Sequence, residues 1–315
     1  MTSPEGICLI CGSKIETTVK NVFDTRFGIK GFYDVGKCLS CGLEQLFPRP
    51  DGNELKKLYE DHYNFQGGDS AKYRARRQKF LSSFLYRFWM FIDGDIAFYR
   101  TKGRGRLLDV GCNEGRGMIR YQRNGYTVEG LEINRVAAQA ARSLGFMVHA
   151  DPLESFQPSE AYDVAVLANV LEHSLAPADM LESIGDLLMP GGQVWISCPN
   201  GQSWYKKIFG RYWINWHPPF HLVHFSRTTL VKMLNREGFA VETVKNETPA
   251  LWVAQSLIAA GFARLGIVTR QLRTAWLVGG AMLLIRLLFF PLLWLGNLLG
   301  RGDCLVIKAY RGKGD

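Results

Sequence analysis

The chain has 315 residues, 47% of them hydrophobic and 21% charged, with a formal net charge of +9. That is the composition of a globular protein burying a sizeable core, in one large domain with an appendage or two modest domains, and it excludes a low-complexity or disordered chain. The positive balance favours anionic surfaces (phosphate-bearing substrates, nucleic acid, acidic headgroups) without choosing among them. The start, Met1 to Cys8, lacks the basic end and apolar core of a signal peptide, and seven cysteines in so long a chain do not make a secreted disulfide framework. A cytoplasmic location is therefore the expectation.

In chain order, residues 1–50 hold Cys8-Leu-Ile-Cys11-Gly and Cys38-Leu-Ser-Cys41-Gly. Each C-x-x-C turn aims two thiolates at one point, and the following glycine lets the backbone fold around a metal. Together Cys8, Cys11, Cys38 and Cys41 supply the four soft ligands that tetrahedral Zn²⁺ prefers, with no open position, so the site reads as structural. The competing reading is four free or redox-active thiols. A redox pair usually stands singly beside a βαβ pattern, which these do not.

Residues 51–104 read as a helical connector rich in basic and aromatic side chains, including Lys72-Tyr-Arg-Ala-Arg-Arg-Gln-Lys79 before an aromatic run to Phe91. From Arg106 onward short apolar runs alternate with helical patterns, as in βαβ units on a parallel sheet. The predicted strands are Arg106–Val110, Thr127–Leu131, Phe146–His149, Tyr162–Leu167, Gln193–Ser197, Ala240–Lys245 and Cys304–Tyr310. They define a domain over 105–250 plus 301–315, interrupted by an apolar insert at 251–300.

Leu107-Leu-Asp109-Val-Gly111-Cys-Asn113-Glu-Gly115 ends the first of these strands, places an acid, and turns on glycine into a helix. Glycine permits close backbone approach to a ligand at the carboxyl end of a central strand. The dinucleotide fingerprint G-x-G-x-x-G is not matched, because the next glycines are Gly115 and Gly117. Glu132 ends the second strand, where a carboxylate can accept from both hydroxyls of a ribose.

These residues resemble the first motif of the class I S-adenosylmethionine-dependent methyltransferases, with Asn113 where the middle glycine often stands. Asparagine tolerates the backbone angles such a turn needs. The likeness continues through Asp151 in His149-Ala-Asp151-Pro, through Asn169 and the Leu171-Glu172-His173 that ends the fourth strand, and through Pro190-Gly191-Gly192 before the fifth. It implies a Rossmann-like α/β fold: a seven-stranded, mostly parallel sheet in the order 3-2-1-4-5-7-6 with the last strand antiparallel. It further implies that Asp109, Gly111, Asn113, Gly115, Glu132, Asp151 and Asn169 line a pocket for S-adenosyl-L-methionine, with Asp151 at the adenine amino group. Taken singly, Asp109 also reads as a helix cap, Gly115 as a packing glycine and Asp151-Pro152 as the start of a turn.

Methyl transfer from a sulfonium needs in-line approach, so positioning dominates, and a base is needed only if the accepting atom loses a proton. Candidate bases are His173 and, in Trp216-His217-Pro-Pro-Phe-His221-Leu-Val-His224, His221 and His224. The unperturbed pKa of histidine lies near operating pH. The plainer reading makes them packing or hydrogen-bonding residues of a lid. Metal ligation by His221 and His224 is not expected, since the sequence shows no further ligands beside them. Cys198-Pro199 reverses the Pro-Cys order of cytosine-C5 enzymes and no N-P-P-Y motif occurs, so nucleic acid is not the favoured acceptor.

The insert holds Leu251 to Val268, broken by Arg264, and Thr274 to Gly296, which is long enough to span a bilayer. Two full spans would put Arg270 and Arg273 on the far side and Arg286 mid-bilayer, with Pro291 in the second helix. A shallow hairpin in one leaflet of an anionic membrane fits better, alongside a buried hairpin on the sheet or a dimer interface. The layout resembles bacterial methyltransferases with an N-terminal zinc ribbon, the run from Gly42 through Pro48-Arg49-Pro50 to Tyr59 and Tyr63 being typical. That resemblance implies a small-molecule, sugar or lipid-linked acceptor. An RNA methyltransferase and a non-catalytic membrane-bound scaffold are the rival readings.

Overall fold

The structure is a computed structural model that describes residues 6–62, 94–262, 265 and 275–312. The basic and aromatic run at 72–91 and the insert's Arg264, Arg270 and Arg273 lie outside the described residues. The chain forms strands β1 (Ile15–Val22), β2 (Tyr33–Cys38) and β3 (Glu44–Phe47), then helix α1 (Gly52–His62). There follow β4 (Gly105–Val110), α2 (Arg116–Arg123), β5 (Tyr126–Leu131), α3 (Arg135–Arg142), β6 (Met147–His149), β7 (Tyr162–Ala168) and α4 (Pro177–Leu187). The remainder is β8 (Leu188–Pro199), α5 (Trp204–Phe209), β9 (Val223–His224), α6 (Arg227–Arg236), β10 (Phe239–Glu247), α7 (Ala250–Phe262), α8 (Ala275–Leu298) and β11 (Cys304–Arg311).

Seven strands pair in the order β10-β11-β8-β7-β4-β5-β6. The five from β6 to β8 are parallel, and β11 runs antiparallel to both β8 and β10. This is the expected 3-2-1-4-5-7-6 sheet. Both faces are covered because successive side chains point to opposite sides. Leu108, Val110, Leu131, Ala165 and Leu167 face one apolar layer, whereas Leu107, Val128, Val164, Val166 and Trp195 face the other. The carboxyl ends of β4, β5 and β7 therefore meet at one edge, where the glycine turn lies.

The fifth strand of this sheet starts earlier than its apolar run suggests. Tyr162 pairs with Leu188, and the register then slips before Val164 meets Gln193. Gly191, at φ 78°, takes up that slip, so Pro190-Gly191-Gly192 is an irregularity within β8.

A second sheet, β1-β2-β3-β9, joins the N-terminal residues to the loop after β8. Glu44 pairs with His224 and Gln45 with Val223, and Leu46 N donates to Leu222 O at 3.0 Å. Thr229 Oγ1 donates to Cys41 O at 3.0 Å, Arg236 Nη1 to Ile10 O at 2.8 Å, and Lys206 pairs with Glu44. One sheet thus unites residues before position 50 with the segment that follows β8.

Among its described residues the insert forms two helices that pack on this assembly. α7 buries Ala250, Val253 and Ala254 in one cluster with Trp213 and Trp216, and α8 turns Ile285 and Leu293 to the same cluster. Arg286 is only 2% exposed, so its side chain faces protein. The opposite face of α8 presents Leu284, Leu287, Leu288, Phe289, Trp294 and Leu298 to solvent.

Candidate functional site

The turn after β4 is built for close approach. Gly111 has φ 68°, Asn113 φ 53° and Gly115 φ 77°, angles that glycine adopts freely and asparagine tolerates. A Cβ on Gly111 would come within 2.9 Å of Val170 Cγ2, and one on Gly117 within 2.9 Å of Asp109 Oδ2. Glu132 closes the turn from the next strand: its Oε2 accepts from Asn113 N at 2.9 Å and its Oε1 from Asn134 N at 2.8 Å. Asn134 in turn caps α3 by accepting from Val136 N and Ala137 N. One acid thus fixes both the glycine loop and the next helix. Each of its oxygens keeps acceptor capacity for a further donor.

Asp109 is buried, and burial first, then the charge of Glu132, pushes its carboxyl up to about 8. Burial also raises Glu132 despite its two backbone donors. Two acids held together at net electrostatic cost make a site complementary to a cation. At the end of β7, Asn169 sits at φ 58° with its Oδ1 buried and lacking a hydrogen-bond partner.

The Asp109 shift has a sign. Its unfolded value is near 3.8 and its folded value about 8, so the folded state holds the extra proton between them. The group's stabilising contribution is full below the unfolded value and declines as pH rises through about 8. Asp109→Asn cannot ionise, so it should be more stable than the parent by roughly 1–3 kcal/mol at about pH 8, the difference shrinking toward about pH 5. Urea unfolding of the two cofactor-free proteins across that range checks this, and parallel curves would refute it.

Asp151 is exposed at the end of β6. With Arg106, Glu129, His149 and Phe156 it lines an open cavity of about 430 Å³. Glu132 N donates to His149 O at 3.0 Å, which ties the ends of β5 and β6 together. Glu129, near the floor of that cavity, accepts from Arg106 Nη2 and from Tyr162 Oη at 2.9 Å.

The histidines converge beside the glycine turn. Val170, which Gly111 nearly touches, leads into a short 3₁₀ turn, Leu171–His173. Leu222 N donates to Glu172 O at 2.8 Å and brings the later segment alongside. The rings of His173 and His221 are 4.6 Å apart, and those of His217 and His221 5.0 Å. His221 Nδ1 lies 2.7 Å and His224 Nε2 3.2 Å from the carbonyl of Asn215, which can only accept, so both nitrogens carry protons. Burial lowers His173 to about 4 and His224 to about 3, and His221 falls well below its usual value. These imidazoles are neutral at operating pH, and His173 and His224 are weak bases, unlike the near-neutral titration assumed from histidine in water.

Several residues meet here whose convergence the sequence does not show. Tyr59 Oη is 2.9 Å from His173 Nδ1, and Phe27 packs its ring 5.5 Å from those of His217 and Phe220. Both come from the N-terminal segment, over a hundred residues away in sequence. Asp24 shapes the loop bearing Phe27 by accepting from Arg26 N, Phe27 N and Ile29 N, each at 2.8 Å. Glu172 is buried, with neither carboxylate oxygen hydrogen-bonded.

At the far end of the small sheet, Cys8, Cys11, Cys38 and Cys41 offer sulfur atoms all within 4.8 Å of one another. Cys8 and Cys41 Sγ are 3.5 Å apart, and Cys11 and Cys38 Sγ 3.4 Å. Gly12 N and Gly42 N donate back to Cys8 O and Cys38 O, closing both knuckles. The donor set suits a tetrahedral thiophilic cation.

The family described as "Methyltransferase domain" matches residues 73–244, more than half of the chain. A "Ubiquinone biosynthesis O-methyltransferase" of Salmonella enteritidis PT4 (strain P125109) is 29% identical over 119 residues, 35% of this chain and 49% of that protein. Its namesake from Klebsiella pneumoniae subsp. pneumoniae is 31% identical over 115 residues, 33% of this chain and 48% of that protein. The chain spans about half the length of these curated relatives. A solved "S-adenosylmethionine dependent methyltransferase from Mesorhizobium loti" aligns with 73% of this chain and 99% of its own at 18% identity and a TM-score of 0.44.

Proposed function

Because the chain belongs to the methyltransferase-domain family, we propose that it transfers a methyl group from S-adenosyl-L-methionine to an oxygen of a lipid-linked or prenylated small molecule, or of a glycan, at the cytoplasmic face of a membrane. The observation that carries the cofactor assignment is the pair of buried, mutually repelling acids, Asp109 and Glu132, around a turn that admits no side chain at Gly111. Those acids and the buried Asn169 Oδ1 fit a nucleoside bearing ribose hydroxyls, an ammonium and a cationic centre. When bound, the cofactor supplies an electrophilic methyl group on a sulfonium.

The chain's residues do the rest. Glu132 takes the ribose hydroxyls while holding the loop, Gly111, Asn113 and Gly115 let the backbone approach, and Asp151 stands at the adenine end. Asn169 offers its oxygen to a donor on the cofactor's amino-acid portion. His173, His221 and His224, walled by Tyr59 and Phe27, bound the acceptor side, exclude water and orient the accepting oxygen. Zn²⁺ held by Cys8, Cys11, Cys38 and Cys41 is structural.

The acceptor class rests on two supports. The curated relatives are named O-methyltransferases of ubiquinone biosynthesis, and α8 shows solvent an apolar face. Among the described residues, Gly280–Leu298 is the one helix long and apolar enough to cross a membrane. Leu287 and Leu288 are 69% and 64% exposed while Arg286 points inward, so the helix can lie in one leaflet without immersing that charge. Leu287→Asp with Leu288→Asp should lower flotation with phosphatidylglycerol vesicles at least about 10-fold. Equal flotation of both proteins would contradict membrane docking through this face.

The test of function is transfer of a tritiated methyl group into host fractions. Label should enter the organic-extractable lipid or the glycan fraction. Label entering RNA alone would overturn the acceptor assignment.

A further inference from the structure

We propose that Glu172, His173 and His221 form a second metal site, for a divalent first-row transition cation, one step from the glycine turn. The three side chains bring one ligand atom each to within 4.8 Å of the others. They come from two segments some fifty residues apart, which is why no spacing motif announces them.

Three observations point to a ligand rather than to packing. Glu172 is 1% exposed, and both its carboxylate oxygens lack a hydrogen-bond partner. A buried carboxylate without donors is costly, and a bound cation removes that cost. His221 Nδ1 donates to Asn215 O at 2.7 Å, which fixes the tautomer and leaves Nε2 with its lone pair. His173 Nδ1 lies 2.9 Å from Tyr59 Oη, a hydroxyl that accepts as readily as it donates; in the tautomer in which Nδ1 donates to it, Nε2 keeps its lone pair, and a metal there would compete with the ring's contact to the Phe220 backbone. Metal-bound histidines nearly always give their other nitrogen to a carbonyl, hydroxyl or carboxylate in this manner. His224 spends its Nε2 on the same carbonyl and lies outside the triad.

The donor set selects the ion. Two imidazoles and one carboxylate suit zinc, iron, cobalt, nickel or manganese, whereas magnesium and calcium prefer oxygen ligands. The charge of Arg26 offsets part of that of Glu172, so binding must draw on the nitrogen donors rather than on surplus negative charge. Three protein ligands leave at least one coordination position open. That position suits an acceptor oxygen; this role rests on the methyl-transfer reading, while metal binding itself does not.

The probe is Co²⁺, titrated into full-length protein whose cysteine cluster is already filled with one equivalent of zinc. The expected result is one cobalt per chain, with ligand-field absorption but without the thiolate-to-cobalt charge-transfer band that the cysteines would give. Millimolar Mg²⁺ should not displace it. Glu172→Gln and His221→Gln should each weaken cobalt binding at least about 100-fold and still bind S-adenosylmethionine, and Tyr59→Phe should weaken it roughly 10-fold. No cobalt beyond the zinc in a wild-type protein that binds S-adenosylmethionine overturns the metal site alone. So does cobalt held unchanged by both triad variants. If a triad variant loses its fold, Tyr59→Phe decides: unchanged cobalt affinity overturns the site. Wild-type protein that takes cobalt yet gives no heat with S-adenosylmethionine upholds the site and sinks the methyl-transfer reading.

Discussion

Glu132→Ala should lower the affinity for S-adenosylmethionine at least about 100-fold, a loss of about 2.7 kcal/mol, while changing the stability of the cofactor-free chain by no more than about 1 kcal/mol. The two halves of this expectation have one cause. Glu132 accepts from Asn113 N and Asn134 N, yet burial still raises its pKa, so the ionised carboxylate is held at net cost rather than for stability. Hydrogen bonds to a buried carboxylate are worth about 1.5–3 kcal/mol each, and a ribose would add two of them. Removing the acid therefore forfeits the ligand's bonds and slackens the turn at Asn113, but relieves the repulsion with Asp109. Calorimetry for affinity and urea unfolding for stability measure both. A variant that binds as the parent does would remove Glu132 from the site.

Chelating zinc from protein loaded with it at the cysteine cluster, or replacing Cys38 by serine, should cost about 3–5 kcal/mol and lower the melting temperature by about 10 °C. The effect should travel. The second knuckle sits on the β2–β3 turn, and β3 carries the pairing of Glu44 with His224 and of Gln45 with Val223. Loosening β3 frees the segment that presents His221 and His224. Hydrogen exchange at Leu222 and Val223 should then rise at least about 10-fold, with little change in β4 and β5. Chelation that unfolds only residues up to Pro50 and leaves Leu222 protected would show that the cluster supports nothing beyond its own module.

The large sheet was legible because each strand is a contiguous apolar run with its own boundary, and the parallel order follows once helices alternate with strands. The glycine turn, Asp109 and Glu132 were legible for the same reason: they occupy fixed places relative to strand ends. What escaped was produced by distant segments meeting. Tyr59 reaches His173 across 114 residues, and Glu172 and His173 meet His221 only because Leu222 N donates to Glu172 O. No local period records such contacts. The sequence shows no companion ligands beside His221 and His224, whereas folding brings Glu172 and His173 within ligand distance of His221 and leaves His224 outside the group. Histidine's solution pKa likewise said nothing of burial, which makes His173 and His224 poor bases. In the sequence Arg286 counted against two full spans, and helical geometry places it beside Ile285 on the face that α8 turns to protein.

The central claim is that the carboxyl ends of β4 and β5 hold a charged sulfonium nucleoside. Titrating S-adenosylmethionine into the zinc-loaded chain in a calorimeter tests it directly. The account predicts saturable heat with one site per chain, competed by S-adenosylhomocysteine. Absence of heat from folded, zinc-loaded protein would contradict it.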